Sequence, residues 1–162
     1  MRISFLICLC SLSLSSGYLN AADHGGKNGQ CVEALLSHYF ATQEALAGDN
    51  LTNAQAAAKK LQAAQKESGC SESIAKANDK ILAAEDIKSA RVAFKTLSDS
   101  LIPLVGKEGL KSTEAYLAYC PMAFEFTGAS WLQKDKAIAN PYFGAQMFAC
   151  GVIKQSFGSK DK

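Results

Sequence analysis

Histidine is scarce in this chain of 162 residues: there are two, His24 and His38. A blue-copper electron-transfer centre needs two imidazoles beside a thiolate, so it is a poor fit. An excess of either charge is also missing. Seventeen Lys and Arg stand against 15 Asp and Glu, which leaves no basic stripe to follow a nucleic-acid backbone. There is no glycine-rich phosphate loop to support ATP or NAD chemistry. No Cys-x-x-Cys pair occurs, no motif marks a Ser/His/Asp triad, and the carboxylates are scattered along helical stretches as solvated residues are. The reading is therefore not an enzyme. What remains is ordinary globular composition, 48% hydrophobic and 20% charged, with a length suited to one core.

The first 21 residues read as a secretory signal. Met1 and Arg2 are followed by the apolar run from Ile3 to Leu14 and a polar, small-residue stretch ending in Ala21 and Ala22. That run is too short to cross a bilayer comfortably. Cleavage after Ala21 removes Cys8 and Cys10 and leaves Cys31, Cys70, Cys120 and Cys150 in an exported, periplasmic protein under oxidising conditions, with no membrane span. The new start, Ala22-Asp23-His24, has the amine, amides and imidazole of a square-planar copper(II) or nickel(II) set. An incidental His in a flexible leader, 22–30, is the plainer reading.

From Cys31 the apolar residues Val32, Leu35, Leu36, Tyr39, Phe40 and Leu46 recur at helical steps. Gly48 is a natural stop and Asn50 a natural cap. An Ala-rich second helix runs from Leu51 to about Glu67, and Ser68-Gly69 ends it. Small Ala side chains let a neighbouring helix come close. A third helical region covers about Ser73 to Val105, broken near Ala83-Ala84. Its seam repeats at sevens through Ile87, Phe94 and Leu101, and through Ala90, Leu97 and Leu104. Pro103 is expected to kink or end it. After Ser112 aromatics dominate. Ala115 to Cys120 and Ala129 to Gln133 read as short strands, and Asn140-Pro141 as the cap of a short helix toward Cys150. The expected fold is mainly α: a bundle of three to four helices with a small aromatic-rich α+β annex at the C-terminal end. One domain spans 31–155, and 156–162 is a loose tail.

Cys31 opens the first helix and Cys70 follows the second, so an antiparallel hairpin brings them together and predicts a Cys31–Cys70 disulfide. Cys120 and Cys150 are left. The mature chain has two Met, Met122 and Met147, and each sits within three residues of one of these cysteines. Thiolate and thioether are soft donors that together select copper(I), whereas zinc gains little from thioether. Met147 and Cys150 lie one helical turn apart. Two plainer alternatives stand beside this one: a second disulfide, Cys120–Cys150, and methionines that merely fill the core. His38, at the edge of the first helix's stripe, reads as a boundary residue rather than a ligand.

The segments Tyr39 to Leu51, Ala93 to Ser98 and above all Tyr119 to Gly151 (YCPMAF, GASWLQ, NPYFG and the Met147/Cys150-Gly151 end) resemble a small exported domain of unknown function. That domain occurs alone in periplasmic proteins and fused to adaptors of copper/silver RND efflux systems (CusB-type membrane-fusion proteins). The resemblance implies a mainly helical periplasmic domain in copper handling, with Cys120, Met122, Met147 and Cys150 as the residues carried over. Cargo would be copper(I), or silver(I) by the same chemistry. The partner would be a copper efflux adaptor or another periplasmic copper protein. The chain lacks an adaptor hairpin and a lipoyl-like domain, so it does not bridge a pump itself. The competing expectation is a disulfide-stabilised periplasmic interaction module without a metal role.

Overall fold

The computed structural model describes residues 24–158, with side chains from residue 29 onward. The expected signal, 1–21, and the side chain of His24 lie outside the described residues. Four helices come first: α1 (His24–Ala47), α2 (Leu51–Ser68), α3 (Glu72–Leu82) and α4 (Ile87–Glu108). Three strands follow: β1 (Ala115–Cys120), β2 (Ala129–Gln133) and β3 (Val152–Phe157). They form an antiparallel sheet in the order β2-β1-β3. The architecture is the expected helical bundle with a small aromatic-rich annex.

Each helix starts and stops on local chemistry. Asn50 caps α2 by accepting the Asn53 N–H at 2.9 Å, and Gly69, left-handed at φ 66°, closes it. Asp86 and Ser89 form a reciprocal capping box at the start of α4, which satisfies two otherwise orphaned N–H groups. α1 buries Val32, Leu35, Leu36, Tyr39 and Phe40 against Ala54, Ala58 and Leu61 of α2, and Ala90, Phe94, Leu97 and Leu101 bring the α4 seam into the same core.

Four expectations are corrected. The leader is not wholly irregular, because α1 already begins at His24. Pro103 does not end α4, which runs on to Glu108; Pro103 lies on an exposed face, so the Asp99 carbonyl it leaves without a donor can turn to water. The segment after Asn140 is not an α-helix but a turn and a 3-10 turn, Gly144–Met147. Gly144 at φ 62° breaks the helical path, and a Cβ there would run into the Asp49 carboxylate and the Arg91 guanidinium. Finally, Ser156 and Phe157 belong to β3 rather than to a loose tail; the residues after Gly158 lie outside the described ones.

A buried hydroxyl of the bundle ties it to β2 of the annex. Tyr39 is fully buried; its oxygen lies 2.6 Å from Ser98 Oγ of α4 and accepts the Leu132 N–H of β2 at 3.1 Å. One outward N–H of β2, that of Leu132, is therefore satisfied by the bundle. Trp131, also fully buried, sits edge-on to Tyr142 with centroids 5.6 Å apart, and Tyr142 lies 6.1 Å from Phe94.

Candidate metal centre

The expected disulfide is present. Cys31 of α1 and Cys70, just past α2, are bonded with Cα atoms 5.7 Å apart, and both are buried. Cys120 and Cys150 are free thiols. Cys120 ends β1, the central strand, and is buried. Cys150 lies two residues before β3 and is half-buried. Antiparallel pairing sets Tyr119 against Val152, so the next rung brings the end of β1 to the Cys150-Gly151 approach. The two sulfurs are 2.9 Å apart across 30 residues of sequence.

The methionines sit on the backbone around this pair. Met122 follows Cys120 in the turn after β1 and is exposed. Met147 ends the 3-10 turn and is half-buried, and its carbonyl accepts the Cys150 N–H at 3.0 Å. Met147 and Cys150 therefore share one tight turn, as their spacing implied.

A polar scaffold holds the Cys150 loop. Asn140 is fully buried; its side-chain amide donates to the Cys150 carbonyl at 2.7 Å and its N–H to the Phe148 carbonyl at 2.8 Å. Its own Oδ1 accepts the Tyr142 N–H at 2.8 Å, so the expected cap at Asn140 exists. Its second task, gripping Cys150, is not visible in sequence. Arg91 of α4 donates to the Pro141 carbonyl at 2.9 Å, to the Leu46 carbonyl at 3.0 Å and to Asp49 at 2.5 Å. Asp49 also accepts the Ala145 N–H at 2.8 Å. Buried Gln43 donates to the Ala139 carbonyl at 2.5 Å. None of Gln43, Asp49 and Arg91 is signalled by a motif. Their partners are main-chain atoms far along the chain, which residue types do not advertise.

The surroundings of Cys150 favour its protonated thiol. The hydrogen bond shared with Cys120, then burial, pushes the Cys150 thiol up to about 11. These surroundings do not produce a low-pKa nucleophilic thiol of the kind an oxidoreductase needs. Among the described residues no group of three or more His, Cys, Asp and Glu gathers around one point. A cation held at Cys120 and Cys150 would therefore have to draw further donors from outside the His, Asp and Glu side chains, and Met122 and Met147 are the sulfur side chains adjacent in sequence. That donor set fits a soft monovalent ion and not zinc or a hard cation. His38 is half-buried on α1, and no metal-binding group of the described residues includes it. A separate groove of about 640 Å³ lies between α1 and residues 112–114 and 134–135, lined partly by Glu33, Glu44, Glu114 and Asp135. It includes none of the four sulfur residues. Burial pushes the Glu33 carboxyl up, but hydrogen bonds from Ser112 and Lys111 outweigh it and hold the group below its ordinary value. Glu33 thus serves as a brace for the α4–β1 connection.

No helix among the described residues is long and apolar enough to cross a membrane. Residues 35–113 match a family described as "Protein of unknown function (DUF3347)". The match covers about half of α1 and all of α2 to α4 and stops short of β1, so Cys120, Met122, Met147 and Cys150 lie beyond it. It carries no link to efflux adaptors. No curated protein and no solved structure matches the chain.

Proposed function

We propose that this chain is an exported, periplasmic copper(I)-binding protein whose donors are the thiolates of Cys120 and Cys150 and the thioethers of Met122 and Met147. It is a carrier rather than an enzyme, and silver(I) is an equivalent cargo on chemical grounds. The observation that supports this reading is the 2.9 Å approach of Cys120 and Cys150 across 30 residues, with a methionine within three residues of each. Capture would begin at the exposed Met122 and at Cys150, the more accessible of the two cysteines. Each thiol gives its proton to solvent as the cation takes its sulfur, and release to a partner's thiols runs the same exchange in reverse. The resemblance to the domain fused to copper/silver efflux adaptors suggests the setting and the partner class: an efflux adaptor or another periplasmic copper protein.

The test is a copper(I) competition against a chromogenic chelator, under argon, with reduced protein lacking residues 1–21. Replacing both Cys120 and Cys150 by Ser is expected to weaken binding by more than the roughly 10–100-fold that loss of an outer-shell partner costs. Met122→Leu and Met147→Leu are each expected to weaken it less. Equal copper(I) affinity in the wild type and a folded double-Ser variant overturns the proposal.

A further inference from the structure

We propose that Cys120 and Cys150 form a reversible dithiol–disulfide couple whose closed form switches the metal site off. The chain holds two cysteine pairs in different situations. Cys31 and Cys70 are both buried and already bonded. Cys120 and Cys150 are open, with one sulfur sealed inside and the other partly at the surface. Their 2.9 Å separation is less than an ångström longer than the roughly 2.05 Å of a disulfide.

The backbone on both sides is fixed. Cys120 ends a strand paired on both edges. Cys150 is held by Asn140 through its carbonyl and by Met147 through its N–H. Beside it, Gly151 at φ 145° lets the chain pass so close to Trp131 that a Cβ would lie 2.9 Å from the indole. The sulfurs are therefore held face to face rather than meeting by chance, which is the arrangement of a high effective concentration.

Closure needs an external oxidant, and the class that fits is another disulfide, small or protein-borne. The Cys150 sulfur gives up its proton to solvent and attacks one sulfur of that disulfide, expelling the first thiolate. The Cys120 sulfur then gives up its proton and attacks the Cys150 sulfur, expelling the second. Two protein thiols become one bond, the external disulfide gains two electrons, and the two expelled thiolates take up two protons. Once closed, both sulfurs have lost their thiolate character and two thioethers remain, too few and too weak to hold copper(I). The metal-gating half of the proposal rests on the copper(I) reading above.

The experiment equilibrates the protein lacking residues 1–21, under argon, in buffers spanning oxidised to reduced glutathione. Free thiols are trapped by alkylation and mapped by mass spectrometry, and copper(I) uptake is measured on parallel samples. Two alkylated cysteines, 120 and 150, are expected at the reduced end and none at the oxidised end. Cys31–Cys70 should stay bonded throughout, and copper(I) uptake should follow the free-thiol count. A pair that stays open in every buffer, stays bridged in every buffer or accumulates glutathione on Cys150 overturns the couple. If the pair cycles while its reduced form takes no copper(I), the couple stands and the copper reading falls. If reduced protein binds copper(I) and the pair never closes, the reverse holds.

Discussion

Three consecutive side-chain-bearing residues, Phe124, Glu125 and Phe126, adopt left-handed backbone at φ 51°, 57° and 64°. For L-residues this costs roughly 1–2 kcal/mol each. The turn is held by the Phe124 ring against Tyr142, 5.1 Å between centroids, and by the Gly128 N–H on the Ala123 carbonyl at 2.9 Å. Glu125 is exposed, so replacing it leaves the packing alone. Glu125→Gly is expected to raise stability by about 1 kcal/mol, some of the relief being offset by the freer unfolded chain. A thermal melt checks it, and a lower midpoint contradicts it. A second residue-scale effect lies at Asp49. The Ala145 N–H first, and then Arg91, hold its carboxyl below its ordinary value of 3.8. A group depressed in the folded state contributes stability in full above its unfolded value, and that contribution is lost as pH falls through the lower folded value. Urea midpoints of wild type and Asp49→Asn should therefore differ most near pH 6 and converge toward pH 2–3. A constant gap would show that the charge plays no part. None of this was legible beforehand: an Ala-Phe-Glu-Phe run gives no sign of left-handed backbone, and Asp49 reads as an ordinary turn residue.

At the scale of elements the helices were legible because their apolar spacing and caps agree. Asn50 and Gly69 mark boundaries that a side-chain oxygen and a left-handed glycine enforce; the Asp86 capping box at α4 was not read from the sequence, which marked only a break near Ala83-Ala84. β1 and β2 matched expectation residue for residue. β3 did not, because Val152 to Phe157 is exposed along nearly its whole length and its formation depends on pairing with β1 rather than on a buried face. Pro103 misled for a related reason: a helix packed along its length tolerates one missing bond on its solvent side. The antiparallel α1–α2 hairpin did place Cys31 beside Cys70. Their bond closes a span of 39 residues, for which the chain-entropy account gives about 4 kcal/mol. Replacing both by Ser should lower the unfolding free energy in denaturant by about that amount. A loss below about 1 kcal/mol would place the stability of the hairpin in the Ala packing instead.

The whole molecule divides at about residue 113. The bundle before it falls almost entirely within the matched family segment and was read from periodicity. The annex after it holds Cys120, Met122, Met147 and Cys150 and depends on long-range polar ties from Gln43, Asp49 and Arg91 that only the folded chain reveals. Meeting of the two sulfur segments was expected from composition; the means of their meeting, an edge strand and a buried Asn140, was not. Cys120 and Cys150 also bracket the left-handed turn, β2, Trp131 and both methionines, so this lobe is a bight of backbone whose two feet stand side by side. Tying the feet would remove roughly 3.5–4 kcal/mol of chain freedom from its unravelled state. The form with both thiols free is thus also the form in which the lobe can peel from the helices most readily.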